Sequence, residues 1–131
     1  MLVGPTLAMA TPASAVSPRP PKIKAHPDNL MVNTFTTLTG TNFAPNTTLR
    51  LAECSTTAWA VGAQSPCTTN NAVSVTTGAS GEFTTKFQAE VCPGGKRVGP
   101  TAVRCYIGVP KPSGIDTMAL EAAVKIVVTY P

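Results

Sequence analysis

The sequence predicts an all-β sandwich, and three observations support this fold class. The 131-residue chain is 12% charged and contains 13 prolines, whereas globular domains average about 25% charged residues and about 5% proline. Low charge with moderate hydrophobicity argues against a disordered chain and against a helical bundle. Short alternating runs rich in Thr and Val are separated by turn clusters at intervals of about 8–12 residues, which is typical of packed antiparallel sheets.

The N-terminus indicates where the protein acts. Residues 1–15 contain a short apolar stretch followed by Ala13-Ser14-Ala15, the small-x-small pattern after which a signal peptidase cuts. A positively charged segment is missing, so we expect a truncated signal peptide, and the alternative is a disordered Ala/Pro-rich tail. No stretch reaches the about 18 apolar residues of a membrane helix. The domain is expected to span residues 16–131 and to be secreted or located in the cell envelope.

The first half of the domain contains an extended arm and three predicted strands. Proline-rich residues 16–27 form an extended arm, or at best an edge strand, because proline cannot donate to a sheet ladder. The predicted strands are residues 31–39, Thr48–Cys54 and 72–77. In the second of these, alternation places Leu49 and Leu51 on one face. Arg50 and Ala52 then face the other way.

The second half contains three more strands. Residues 78–81 predict a hairpin-type connection into a strand over residues 82–91. Apolar residues alternate in each strand and are predicted to face inward: Phe83, Phe87, Ala89 and Val91; Val103, Cys105, Ile107 and Val109; Val124, Ile126, Val128 and Tyr130. Residues 116–125 contain good helix formers, with Asp116 or Thr117 as a possible cap. A short helical turn before a last strand that starts near Ala122 therefore stays an alternative.

The cysteines predict disulfides rather than a metal site. Cys54, Cys67, Cys92 and Cys105 show no Cys-x-x-Cys spacing, and the chain has one histidine, His26, with which to complete a zinc site. An even number of cysteines with an export signal indicates two disulfides, for which three pairings are possible. We expect neighbour pairing, Cys54–Cys67 and Cys92–Cys105. Each loop should stabilise the fold by about 3 kcal/mol.

The sequence carries no signature of an enzyme. Nucleophile-elbow, zinc-protease and phosphate-loop motifs are missing, and the six acidic residues are scattered. His26 stands beside Pro27 without a neighbouring carboxylate, which indicates a surface histidine rather than a catalytic base. We therefore expect no catalysis, no cofactor and no metal.

Two segments are candidate binding sites. The loop between Cys92 and Cys105 contains Lys96, Arg97 and Arg104, but without interleaved aromatic residues it indicates a solvated loop. Together with a net charge of +4, this predicts no direct nucleic-acid binding. Trp59 is the single tryptophan. It is either a core anchor or, on a disulfide-closed loop, a contact residue for a ligand or partner.

Several runs resemble the neocarzinostatin family, the apoproteins of enediyne chromoprotein antibiotics. The resembling segments are Asn-Phe-Ala-Pro-Asn-Thr-Thr at residues 42–48, Leu-Arg-Leu-Ala-Glu-Cys at 49–54, Val-Thr-Thr-Gly-Ala-Ser-Gly at 75–81 and Cys-Tyr-Ile-Gly-Val at 105–109. The similarity covers residues 21–130. It implies a seven-stranded antiparallel immunoglobulin-like β-sandwich with two neighbour-paired disulfides. It also implies a cleft that holds a small apolar chromophore without a covalent bond.

The resemblance also indicates which residues line the cleft. The expected ligand-binding residues are Trp59, Leu51, Tyr106, Gly108, Cys54 and Cys67. The chain departs from the family at Ala72 and Pro110, where the best-known member has an aromatic ring and a hydroxyl. A long aromatic hairpin before Cys92 is missing, whereas the loop after Cys92 is longer and basic.

We therefore predict a secreted, non-catalytic carrier that holds a small apolar or aromatic molecule beside the sandwich, and we expect a monomer. The alternative is an exported protein-interaction or cell-envelope module that uses exposed edge strands and the loop with Lys96 and Arg97. A cleft filled by Leu51, Ile107 and Met118 would favour this alternative.

Overall fold

A computed structural model describes residues 19–92, 94–110 and 117–131. The predicted signal peptide or tail, residues 1–15, lies outside the described residues. Within these ranges there are ten strands: β1 Lys22–His26, β2 Asn29–Met31, β3 Phe35–Thr41, β4 Thr48–Cys54, β5 Ala58–Ala60, β6 Cys67–Thr76, β7 Phe83–Gln88, β8 Lys96–Arg97, β9 Ala102–Pro110 and β10 Thr117–Thr129. Over the described ranges no residue is helical, and so no helix there could cross a membrane.

The described strands form two sheets, which confirms the all-β prediction. The first has three strands in the order β1-β3-β7. The second has seven strands: β2-β10-β9-β4-β6 form a continuous path, β5 pairs with β10, and β8 pairs with β9. Seven of the ten strands contain five or more residues, and β2, β5 and β8 are short additions. The pairing of β2 with β10 is parallel, a feature that the antiparallel expectation did not include.

The hydrophobic core lies between the two sheets and contains most of the predicted inward residues. Its fully buried members include Leu38, Leu51, Phe87, Ile107, Ile126 and Val128. The prediction for Val91 is wrong, because this side chain is 57% exposed. The alternation that buries Phe83 and Phe87 ends with β7 at Gln88, three residues before Val91.

The end of β4 departs from simple alternation. Ala52 was predicted to face away from the core, yet both Ala52 and the next two residues, Glu53 and Cys54, are buried. β4 lies inside the larger sheet, between β6 and β9, and side chains on both of its faces are buried at this end. An apolar run buried on both faces is typical of a central strand.

The predicted hairpin at residues 78–81 is a crossover between the sheets. A tight turn does form there, since the Gly81 N–H donates to the Gly78 carbonyl at 3.0 Å. The strands on either side have different partners, however: β6 pairs with β4, and β7 pairs with β3. The turn therefore carries the chain from the seven-stranded sheet to the three-stranded sheet.

The last strand starts earlier than the sequence indicates. β10 begins at Thr117 rather than near Ala122, and the alternative helical turn does not form from that residue onward. Pairing with β5 and a hydrogen bond from the Leu120 N–H to the Thr57 carbonyl extend the strand. These partners lie about 60 residues away in sequence, so local helix propensity is overridden. Asp116, one of the two possible caps, lies outside the described residues.

Both disulfides join neighbouring cysteines in the sequence. Cys54–Cys67 connects β4 to β6 at a directly paired position. Cys92–Cys105 connects the segment after β7 to β9. Because β7 belongs to the three-stranded sheet and β9 to the seven-stranded sheet, this second disulfide links the segment that follows the three-stranded sheet to the seven-stranded sheet.

The substitution Gly40→Ala tests the packing within the three-stranded sheet. Gly40 pairs with Phe83, and a Cβ atom at this position would overlap the Phe83 ring. We expect Gly40→Ala to lower the free energy of unfolding by about 1–3 kcal/mol, the usual effect of overpacking a core. Urea denaturation followed by circular dichroism measures it.

Gly99→Ala is the matched control for this prediction. Its Cβ would meet Ala102 at 3.6 Å, an ordinary van der Waals distance. An equal loss of stability in the two variants would mean that the Phe83 ring does not set the cost at Gly40.

Candidate functional site

The candidate site lies on the outer face of the seven-stranded sheet, the face opposite the core. Residues paired across an antiparallel ladder share a face of the sheet. Cys105, Ile107 and Val109 face the core. By alternation, Tyr106 and Gly108 point outward.

A row of small residues crosses the centre of this outer face. Gly108 pairs with Ala52 of β4 on one side and with Ala123 of β10 on the other. Three adjacent strands therefore present only hydrogen or methyl groups at this level. We call Ala52, Gly108 and Ala123 the small-residue row.

Leu120 lies over the small-residue row. A Cβ atom on Gly108 would come within 2.6 Å of the Leu120 Cδ1 atom and 2.7 Å of the Ala122 carbonyl oxygen. Glycine is therefore required at position 108, because the Leu120 side chain and the β10 backbone leave no space for a methyl group. Leu120 is itself half-buried, so part of its side chain is accessible.

The Cys54–Cys67 disulfide and Tyr106 form the next row along the sheet. Cys54 pairs with Cys67 on one side and with Tyr106 on the other. Cys54 is fully buried, whereas Cys67 and Tyr106 are half-buried. Tyr106 in turn pairs with Lys125 of β10. The sequence-predicted residues Cys54, Cys67, Tyr106 and Gly108 thus lie together on one face.

Trp59 lies on the same side of the sheet as Leu120. In the pairing of β5 with β10, Trp59 stands opposite position 118, two residues before Leu120. Its side chain is half-buried and is not a member of the core cluster of described residues. Its indole Nε1 atom is buried without a hydrogen-bond partner in the described part of the chain. This placement favours the contact role over the core-anchor role.

Leu51 does not belong to the site. Its side chain is completely buried in the core. It alternates with Ala52, so it faces the interior when the small-residue row faces outward. The expectation that Leu51 contacts a ligand is therefore wrong. Ile107 is likewise a core residue and cannot fill a cleft on the outer face, and the side chain of Met118 lies outside the description.

Comparison with known proteins agrees with this arrangement. The sequence model described as the Neocarzinostatin family matches residues 23–124, well over half of the chain. The chain belongs to the neocarzinostatin family. Apoproteins of this family are non-catalytic binding proteins that typically carry small chromophores.

A solved structure supports the fold of this neocarzinostatin-family chain. Macromomycin superposes with a TM-score of 0.54 at 16% sequence identity, covering 85% of this chain and 99% of that chain. At this identity the match shows the shared fold, a macromomycin-like β-sandwich. No curated protein sequence matches the chain.

A buried carboxylate lies directly beneath the site, on the core side of β4. Glu53 is 1% exposed; its Oε1 atom accepts hydrogen bonds from Asn71 Nδ2 at 2.7 Å and from the Glu90 N–H at 2.9 Å. Burial raises the pKa of Glu53 above its ordinary value of 4.5, and the nearby Glu90 charge raises it further. The two hydrogen bonds to the ionised form act in the opposite direction.

Glu53 was not predicted as a notable residue, although a signal was present. It continues the inward alternation of Leu49 and Leu51, which should have marked it as a buried acid. Its carboxylate lies within 4.8 Å of the Cys92 and Cys105 sulfurs. Because these sulfurs form a disulfide, they are not thiolate ligands, and Glu53 alone does not make a metal site.

The remaining sequence candidates lie on open surface. His26 is exposed at the end of β1, which is the surface position predicted for it. Lys96 and Arg97 are exposed on β8. A groove of about 520 Å³ lies not beside Trp59 but against β1 and β3 of the other sheet.

The pH dependence of stability tests the burial of Glu53. Because its pKa in the folded protein is above the unfolded value, the folded state is most favoured when the carboxyl is protonated. The contribution of Glu53 is therefore fully present below about pH 4.5 and is lost as pH rises through the folded pKa. In Glu53→Gln, whose side chain cannot ionise, this decrease should disappear.

The measurement is the free energy of unfolding in urea at a series of pH values from 4 to 8. Glu121→Gln removes an exposed carboxylate and serves as the control. It should reproduce the wild-type profile. A Glu53→Gln profile parallel to the wild-type curve would contradict a raised pKa at this position.

Proposed function

We propose that this protein is a secreted, non-catalytic carrier that binds a small apolar or aromatic molecule on the outer face of the seven-stranded sheet. The molecule would lie over the small-residue row and contact Trp59, Tyr106 and Leu120. Membership of a family of chromophore-binding apoproteins supports the carrier role.

The small-residue row is the observation that carries this proposal. Three neighbouring strands offer no side chain larger than methyl at one level, and from this we infer a shallow hollow in the outer face, partly covered by Leu120. The hollow is bordered by the Cys54–Cys67 disulfide with Tyr106 on one side and by Leu120 on the other. Concave sites lined by apolar and aromatic groups are the usual binding sites for small ligands.

The chemistry of the border indicates an apolar or aromatic ligand. Trp59, Tyr106 and Leu120 are each half-buried, so each has apolar surface left to cover. Burying such surface contributes about 25 cal/mol per Å². The nearest cation in register is Lys125, beside Tyr106, and it provides a polar boundary at one end.

Secretion is proposed from the disulfides. Two disulfides in a domain of this size are typical of oxidising compartments outside the cytosol. Once the protein is outside a reducing compartment, the Cys54–Cys67 disulfide beside the site would also stay oxidised. We propose a monomer, since the site is built from one chain.

A protein-interaction or envelope module is the second candidate, and the position of Leu120 favours it. Leu120 already occupies the space above Gly108, so the hollow is partly filled. β1 is an edge strand, and Lys96 and Arg97 are exposed. The two candidates differ in whether a small aromatic molecule saturates the site.

A titration with 2-naphthol, a small aromatic probe, tests the carrier proposal. Trp59 is the single tryptophan, so its fluorescence reports from one position. We expect a saturable change in emission for the wild-type protein. By calorimetry, Trp59→Ala and Tyr106→Ala should each weaken binding by about two- to twelvefold, because one aromatic contact contributes about 0.5–1.5 kcal/mol.

Phe35→Ala is the control, because Phe35 is a 57% exposed aromatic residue on the other sheet. It should bind 2-naphthol like the wild type. If emission does not saturate, or if all three variants lose affinity equally, the binding site is not at Trp59 and the interaction module becomes the better account.

A further inference from the structure

The outer face of the three-stranded sheet presents a regular pattern of cations and hydroxyls. Lys22 pairs with Thr41 and Lys24 with Thr39. On the other side of β3, Lys86 of β7 pairs with Thr37. Since Ile23 and Leu38 face the core, these lysines and threonines share the outward face. We call Arg19, Lys22, Lys24 and Lys86, with Thr37, Thr39 and Thr41, the basic face.

A groove is built into one side of the basic face. Its volume is about 520 Å³, and its lining includes Arg19, Lys22, Lys24, Thr39, Thr41 and Asn42. The Asn42 Nδ2 group donates a hydrogen bond to the Pro20 carbonyl at 3.4 Å, which links the segment carrying Arg19 to the end of β3. Three cationic side chains therefore surround one depression.

The described lining of the groove contains no acidic residue to neutralise these cations. Glu82, which precedes β7, has its carboxylate beside Gly78 at the turn between the sheets. The cations on the face are exposed and project into solvent. The face therefore offers unbalanced positive charge, and the complementary partner is an anion.

The spacing of the charges indicates an extended anion with repeated charges. Lys22 and Lys24 are two residues apart on one strand, so their Cα atoms are about 6.6 Å apart along it. Lys86 lies two strands away and is offset by two residues from Lys24, so their Cα atoms are about 12 Å apart. A single small anion would fill the groove but would not reach Lys86.

The hydroxyls between the cations favour a carbohydrate. Threonine side chains donate and accept hydrogen bonds, as sugar hydroxyls do. Single-stranded nucleic acids instead require aromatic side chains between the cations on which bases stack. On this face Phe35 stands at the far end of β3 from the groove, paired with Gln88.

We propose that the basic face binds a sulfated or phosphorylated polysaccharide. The sulfate or phosphate groups contact Arg19, Lys22, Lys24 and Lys86, and the threonine rows contact the sugar hydroxyls. Lysine on an edge strand also discourages pairing with another chain. Edge protection needs no groove, and the experiment distinguishes it from polysaccharide binding.

The experiment is a titration of the full chain with a heparin octasaccharide, a sulfated polysaccharide, followed by calorimetry at two salt concentrations. The test variant is Lys22→Gln with Lys24→Gln. The control is Lys96→Gln with Arg97→Gln, which removes the same charge from β8 on the other sheet. We expect about a tenfold loss of affinity in the test variant, less than a twofold loss in the control, and weaker binding at higher salt.

Four results would overturn the proposal. The first two are no measurable binding of heparin by the wild type and an equal loss of heparin affinity in the two variants. The other two are tighter binding of an oligothymidylate of equal charge than of heparin, and self-association of the test variant with unchanged heparin affinity. Size-exclusion chromatography detects the last of these, which would assign the lysines to edge protection. No small aromatic molecule is present in this titration, so its outcome does not depend on the 2-naphthol site.

Discussion

The structure depends on the burial of both faces at the end of β4. On the outer side, the Cys54 side chain bonds to Cys67 of β6. On the core side, the Glu53 carboxylate holds Asn71 of β6 and the Glu90 N–H that follows β7. The Cys54 carbonyl oxygen lies 3.1 Å from the Cys105 sulfur of the second disulfide. Two consecutive residues thus connect β6, β9 and the chain leaving the three-stranded sheet, and they fix the floor of the candidate site.

This constraint explains why the two outer faces can differ in chemistry. Because Glu53 and the Cys92–Cys105 disulfide stabilise its core side, the seven-stranded sheet can carry Ala52, Gly108 and Ala123 at its centre without large side chains there to pack. The outer face of the three-stranded sheet instead carries Thr and Lys side chains beside its groove. One domain therefore presents a patch of small and aromatic residues on one outer face and a groove lined by cations on the other.

Local pattern was sufficient to predict much of the fold. Alternation identified the inward residues of β7 and β9, because each strand has one face toward the core. It failed at Val91, because the strand ends before this residue, and it did not predict that the outward-facing Ala52 is buried. The alternation of Leu49 and Leu51 contained the signal for buried Glu53. The same alternation excludes Leu51 from the outer face.

The site was only partly predictable, because its geometry comes from long-range pairing. Tyr106 and Gly108 follow a cysteine at alternating positions, so their shared face could be deduced. The contact of Leu120 with Gly108 depends on the β9–β10 register, and the proximity of Trp59 depends on β5 pairing with β10, about 60 residues later. No local periodicity encodes that register.

The most direct test of two chemically distinct faces is a ¹⁵N–¹H NMR titration of one sample with 2-naphthol and of another with the heparin octasaccharide. We expect 2-naphthol to shift the amides of Tyr106, Gly108 and Leu120, and heparin to shift those of Lys22, Lys24 and Thr39; shifts of the same amides by both ligands would contradict the account.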